Sequence, residues 1–223
     1  MISVLTLWIA STNAWIASAD GRECIIVDAP PEPWRIVARL KELGLRCAAI
    51  VATHGHLDHI GGIHDVQRAV GEVEPVPVWR SPADAHYFAD PLGNAPLLAN
   101  AVDHARVTVA PPERITDLPD GAVVRGAGIE LRAIATPGHT PGSTCLLATV
   151  GDDGPVLFTG DHLFAGSVGR TDLPGGSMDD LLASMRERIL PLSDDLVVLP
   201  GHGPTTTIGH ERRTNPFLVG LSH

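Results

Sequence analysis

Four times along this chain an apolar run of strand length ends directly on histidine or aspartate: IVATHGHLDH, AIATPGHT, VLFTGDHL and VVLPGHGP. That recurrence constrains the fold more than any other feature. If neighbouring strand ends lie along one edge of a sheet layer, His54, His56, Asp58, His59, His139, Asp161 and His202 converge there. A further run, IIVDAP, brings Asp28 to a strand end as well. One such junction is ordinary turn chemistry, because an aspartate after Thr-Gly readily forms a turn. Four in one chain call for an architecture that gathers strand ends.

Within that set, His54-Gly55-His56-Leu57-Asp58-His59 points to metal. Crowded imidazoles repel one another when charged and are costly to bury unpaired, and a divalent cation removes both penalties. Five imidazoles and two carboxylates exceed what one tetrahedral ion uses, so two ions sharing a carboxylate is the economical arrangement. Zinc suits the histidine-rich donors, and iron or manganese is compatible with mixed imidazole and carboxylate. His64, His86, His104 and His210 lack such partners and are expected to be exposed. His162 adjoins Asp161 but is expected to point elsewhere.

The rest of the chain supplies the frame. Runs at 3–10, 14–18 and 24–28, rich in Ile, Val, Leu and Trp and separated by turns such as Asp20-Gly21, read as a strand meander. Residues 31–43 read as a helix with Ile36, Val37, Leu40 and Leu43 on one face and Gly44 as its stop. A buried strand follows at 47–52, a helix at 62–70, and a helix start at Ser81-Pro82 with Asp84 behind it. The stretch 90–120 shows no strong period and reads as a connection with one short strand at 107–109. Strands resume at 122–125, 129–134, 144–150, 155–159 and 196–199. Before the last of these, Ser177 caps a helix whose stripe of Met178, Leu181, Leu182, Met185 and Ile189 reads as core. Many strands with few helices fit sheet-on-sheet layers flanked by helices, and no composition break divides residues 1–223, so one domain is expected.

Charge narrows the partners. The formal net charge is −10 and the only lysine is Lys41, which argues against a nucleic-acid backbone as ligand. Cys24, Cys47 and Cys145 are odd in number and far apart, as small buried residues of a reducing cytoplasm would be. The N-terminal MISVLTLWIASTNAWIAS lacks a basic lead and is interrupted at Ser11-Thr12-Asn13, so it reads as two strands around a turn rather than an export signal. No segment approaches the roughly 18 apolar residues of a bilayer span. A cytoplasmic protein without a membrane partner is expected. The ending NPFLVGLSH leaves monomer and homodimer open.

The set THGHLDH, PGHTPGS, FTGD and LPGHGP, in this order, resembles the metallo-β-lactamase superfamily over nearly the whole chain. The resemblance implies an α/β fold, the four-layer αββα sandwich, with its site at one edge of the paired sheets. It implies one ion on His54, His56 and His139, a second on Asp58, His59 and His202, Asp161 bridging them, and Asp28 supporting the ligands from behind. Class B1 and B2 β-lactamases carry cysteine at the place of Asp161, and flavodiiron proteins carry glutamate at that of His56. Within the superfamily, FTGDHLFAGSVGRTDLPGGS and LPGHGPTTTIGHERRTNPFL are similar to the single-domain bacterial glyoxalase II group.

That likeness implies a metal-dependent hydrolase cleaving a thioester of a small hydroxy acid and a low-molecular-weight thiol. A metal-bridging hydroxide would attack the carbonyl, Asp58 would orient it, and the thiol would leave as thiolate. Arg170 is the candidate for holding a substrate carboxylate, and its alternative is a structural pairing with Asp172 or a backbone carbonyl. Two-domain glyoxalase II enzymes end in a helical domain that helps to grip glutathione. None is expected here after NPFL, so the thiol carrier stays open. Persulfide dioxygenases, with one iron on the residues matching His54, His139 and Asp161, are the alternative; a lactonase and a non-catalytic metal-binding module are the others.

Overall fold

A computed structural model of the chain describes residues 1–71, 74–105 and 107–221. The expected meander forms as β1 (Ile2–Leu7), β2 (Thr12–Ala17) and β3 (Glu23–Val27), all antiparallel. β1 ends earlier than its apolar run, because Trp8 and Ser11 take left-handed φ of 61° and 56° and turn the chain. In α1 (Pro33–Leu43) a proline presets the first turn, Ile36 and Leu40 face inward, and Gly44 ends the helix. β4 (Arg46–Val51) then runs parallel to β3, followed by α2 (Leu57–Ile60) and α3 (Ile63–Val70). β5 (Val78–Arg80) leads through a turn capped by Ser81 into α4 (Ala85–Ala89). After α5 (Ala99–Ala105), β6 (Ile115–Asp117) completes a six-stranded sheet in the order β1-β2-β3-β4-β5-β6.

The second sheet starts with β7 (Val123–Gly126), β8 (Ile129–Ala135), β9 (Thr144–Thr149) and β10 (Pro155–Gly160). A small hairpin, β11 (Leu163–Phe164) and β12 (Ser167–Val168), precedes α6 (Met178–Ser184), which widens into the turn Met185–Ile189. β13 (Val197–Pro200), β14 (Thr206–Thr207) and α7 (Ile208–Thr214) follow, and the order is β14-β13-β10-β9-β8-β7.

Three apolar cores alternate with the two sheets and make the molecule an α/β sandwich in four layers. Along β3, Cys24 and Ile26 face the core under α1 and α3, while Ile25 and Val27 face the second sheet. β10 repeats this: Val156 and Phe158 point between the sheets, and Leu157 joins Leu181, Met185 and Ile208 under the far helices. Strands buried on both faces read as continuous apolar runs, as these do. Each large side chain so buried contributes about 1.5–3 kcal/mol relative to exposure.

Strand direction explains the gathering of polar ends. β3, β4 and β5 are mutually parallel, so Asp28, the His54–His59 loop and the turn after Arg80 leave the same edge of the first sheet. β10 and β13 are parallel, and β8 shares their direction through antiparallel β9, so the loops bearing Asp161, His202 and His139 leave one edge of the second. The backbone bridge between Thr12 and His202 ties the two edges together.

Several local expectations are corrected. Residues 107–109 form no strand; the pairing with β5 is made instead by β6, which begins at Ile115. The stretch 90–120 also carries α5, in which Val102 is the only buried residue among the described ones, so it shows no apolar period. β5 and β6 have three residues each, below the length at which alternation shows. α7 starts on the Thr207 cap and buries Glu211 where a core residue would stand. Met178 is 37% exposed, because the Ser177 cap turns the first residue of α6 outward, and the buried stripe begins at Leu181. His64 is half-buried, against expectation, with a ring nitrogen 3.4 Å from the Pro111 carbonyl. Among the described residues no helix is long and apolar enough to cross a membrane.

Candidate metal centre

All seven strand-end residues meet at this edge. Donor atoms of His54, His56 and His139 lie within 4.8 Å of one another, as do those of Asp58, His59 and His202, and those of His54, His59 and Asp161. The first group has His54 Nε2 3.2 Å from His139 Nε2, and His56 Nδ1 2.8 Å from that same atom. In the second, His202 Nε2 lies 3.3 Å from both His59 Nε2 and Asp58 Oδ2. Asp161 stands between them: Oδ1 is 3.2 Å from His59 Nε2, and Oδ2 is 3.4 Å from His202 Nε2 and 3.6 Å from His139 Nε2.

The backs of the rings set what the fronts present. Nδ1 of His139 donates to the Arg170 carbonyl at 2.6 Å and Nδ1 of His202 to the Ala10 carbonyl at 3.1 Å. Nδ1 of His59 donates to Asp28 Oδ2 at 2.8 Å. His54 Nδ1 donates to Thr53 Oγ1 at 3.1 Å, and that hydroxyl donates to the same Asp28 oxygen at 2.8 Å. Carbonyls and carboxylates only accept, so these Nδ1 atoms carry the protons and the Nε2 lone pairs turn inward, the arrangement that prepares histidine for a metal.

Electrostatics gives the same picture. Burial first, then neighbouring imidazoles, holds His54 well below its ordinary value, and burial with His139 brings His56 down to about 4. Burial opposes charge on His59 and His202 too, but the facing carboxylates overcome it, raising His59 well above the ordinary value and His202 to about 9. Against the cost of its burial, those same imidazoles hold Asp58 down at about 2. Two rings are thus kept neutral for coordination while two carboxylates call for positive charge between the others.

These residues fit divalent ions. Lone pairs that face each other at 3.2 and 3.3 Å repel unless a cation lies between them. Metal–nitrogen bonds of about 2.0–2.1 Å in a tetrahedron put donors about 3.3 Å apart, the spacing seen here. Asp161 Oδ1 is buried and has no hydrogen-bond partner among the described residues, as a ligand oxygen would.

The Arg170 side chain is 62% exposed and makes a two-point pair with Asp172 at 2.7 Å, while its carbonyl orients His139. His162 is buried, lies in none of the donor groups, and has no partner for either ring nitrogen among the described residues. Two residues at this edge escaped the sequence reading. Thr12 begins β2, antiparallel to β3, and its hydroxyl donates to Asp58 Oδ2 at 2.9 Å. Asp84 follows β5 and accepts from the loops that carry His54, His56 and His139. The strand-end rule would have found Asp84 had the three-residue β5 been recognised.

Gly160 has φ 49°, and a Cβ there would sit 2.4 Å from Thr53 Oγ1, the link between His54 and Asp28. Gly160→Ala is therefore expected to destabilise the protein by about 2–4 kcal/mol and to weaken metal binding with it. Thermal unfolding and a metal titration on the same sample check this.

A family model described as the Metallo-beta-lactamase superfamily matches residues 8–210. An uncharacterized protein of Mycobacterium tuberculosis is 41% identical over 212 residues, covering 93% of this chain and 92% of its own. Hydroxyacylglutathione hydrolase GloC of Haemophilus influenzae is 33% identical over 221 residues, 99% of each chain. Among solved structures, the B3 metallo-beta-lactamase BLEG-1 aligns with a TM-score of 0.84 at 34% identity, covering 99% of this chain and 100% of that one. TTHA1623, in a di-iron-bound form, aligns at 0.79 and 34% identity, covering 97% and 100%. ETHE1 from Myxococcus xanthus aligns at 0.73 and 26% identity, covering 99% and 85%.

Proposed function

This chain belongs to the metallo-β-lactamase superfamily, and from that premise we propose that it is a two-metal hydrolase of a small hydroxyacyl thioester. One observation carries the reading: two donor groups, His54/His56/His139 and Asp58/His59/His202, meet on the single carboxylate of Asp161. The first three would hold one ion, the second three another, with Asp161 shared. Bound there, divalent ions supply an acidified water and polarise an acyl carbonyl. GloC, which is similar over 99% of both chains, supports the thioester of a hydroxy acid as substrate. Zinc is our reading of the occupant and iron its rival, since TTHA1623 has been seen with two irons.

The chain's own groups suit this chemistry. Asp58 is 18% exposed and held by the Thr12 hydroxyl, and as a carboxylate it can accept a hydrogen bond from water and orient it toward a substrate entering the edge. Outward carbonyls and Asp28 keep the imidazoles from turning, which removes the cost of arranging them when substrate arrives. A thiol with an ordinary pKa near 8.5 departs as thiolate, so the loops need supply no acid. Arg170 remains our candidate for a substrate carboxylate: its ion pair with Asp172 is exposed, and exchanging such a partner costs little. The acidic surface and three free buried thiols suit a small-molecule substrate in a reducing cytoplasm.

A second reading, a mononuclear iron persulfide dioxygenase, draws on the subset His54, His139 and Asp161. His139 Nε2 lies 3.2 Å from His54 Nε2 and 3.6 Å from Asp161 Oδ2. Lactoyl thioesters of glutathione and other small thiols, glutathione persulfide and lactones, assayed on one metal-analysed sample, separate the readings. The expected result is thioester hydrolysis without oxygen uptake, lost more than about 100-fold after chelation and restored by a divalent metal. Oxygen uptake on the persulfide with inert thioesters would favour the dioxygenase.

A further inference from the structure

Asp84 is a fully buried carboxylate outside the donor groups, and among the described residues its side-chain hydrogen bonds run to the loops that carry three of the histidines. Oδ2 accepts from Gly55 N and from Thr140 Oγ1, each at 2.8 Å, and Oδ1 accepts from Gly142 N at 2.7 Å. Gly55 separates His54 from His56, and Thr140 directly follows His139. These loops belong to different sheets, the first leaving β4 and the second leaving β8. The approach is close: a Cβ at Gly142 would lie 2.4 Å from the Asp84 carboxyl carbon. Three residues on, Tyr87 presents its ring edge-on to His56 with centroids 5.5 Å apart, and its hydroxyl donates to the Pro174 carbonyl.

We propose that Asp84 is a positioning residue for the ion held by His54, His56 and His139, clamping the two ligand loops at the spacing that ion requires. The proposal rests on the reading that these three histidines bind a metal. Burial raises the Asp84 carboxyl above its ordinary value, and the hydrogen bonds from Thr140, Gly142 and Gly55 work against that. The Asp58/His59/His202 group has other supports, in Thr12, Asp28 and the Ala10 carbonyl, so the clamp acts on one ion and spares the other.

Zinc titration of the metal-depleted full chain by calorimetry, with the Co(II) visible spectrum as a second readout, tests this. In Asp84→Asn an amide donor must face a backbone N–H, so the affinity of one of two binding steps should fall roughly 10- to 100-fold while the other stays within about twofold. The Co(II) absorption of the three-histidine ion should change with it. Thr140→Val keeps the side-chain volume, removes one of the three donors, and should weaken the same step to a smaller degree. If wild type binds no zinc, the reading of the metal centre fails and the proposal with it. If wild type binds two ions and folded Asp84→Asn and Thr140→Val bind both as tightly, or lose both steps equally, the clamp is refuted and the metal centre stands.

Discussion

Asp161→Ala is expected to cost the protein its paired metal centre and to lower thioester turnover by more than about 100-fold. Replacing a residue that merely supports a metal ligand costs roughly 10- to 100-fold, and Asp161 is proposed as a ligand itself. Its two oxygens reach His59 at 3.2 Å, His202 at 3.4 Å and His139 at 3.6 Å, so this one carboxylate touches both donor groups. Without it, His59 and His202 lose a carboxylate that holds positive charge between them. The folded state should survive: burying the ionised carboxylate costs free energy that only a bound cation or its substitute protons offset. Metal analysis of the purified variant, beside its unfolding curve, checks both halves. A folded variant that keeps two ions and full turnover contradicts the assignment.

Asp28→Ala is expected to act through stability as much as through metal. Asp28 accepts from Thr53 N and Thr53 Oγ1 at 2.8 Å each and from His59 Nδ1 at 2.8 Å, all inside the protein. Removing it leaves buried donors without acceptors and should destabilise by about 3–5 kcal/mol. It also frees both His54, through Thr53, and His59, one from each donor group, so both ions should weaken roughly 10- to 100-fold. Asp28→Asn keeps the shape and accepts the left-handed backbone, with φ 61°, so it should recover much of the stability but little of the metal affinity. Denaturant unfolding of the metal-free protein measures the first effect and zinc titration the second. Equal zinc affinity in Asp28→Asn and wild type would show that the aspartate serves the fold alone.

The layers and the seven convergent residues were legible because both rest on apolar periodicity. Strands as long as β3, β4, β8, β10 and β13 show in sequence, and each hands its polar successor to a known end. What stayed hidden has physical reasons. β5 is too short to alternate, so Asp84 looked like a helix-capping neighbour. Thr12 sits at the start of a strand, and a rule about strand ends passes over the starts of antiparallel neighbours. The acceptors that orient His139 and His202 are carbonyls of Arg170 and Ala10, and a carbonyl has no residue identity to read. For Arg170 the sequence offered the guanidinium either to a substrate carboxylate or to Asp172; the Asp172 pair forms, and the atom that orients His139 is the backbone carbonyl. His162 belongs to none of the donor groups, as expected, and is buried.

In the proposed function two ions would share Asp161, and thioester hydrolysis would need both. The most direct measurement restores metal stepwise to the depleted full chain, counting ions per chain by elemental analysis while recording lactoyl-thioester turnover. Turnover that rises to its maximum only as the second ion binds, at two ions per chain, is the expected result. Saturation at one iron per chain, with oxygen uptake on a persulfide and no thioester hydrolysis, would contradict it.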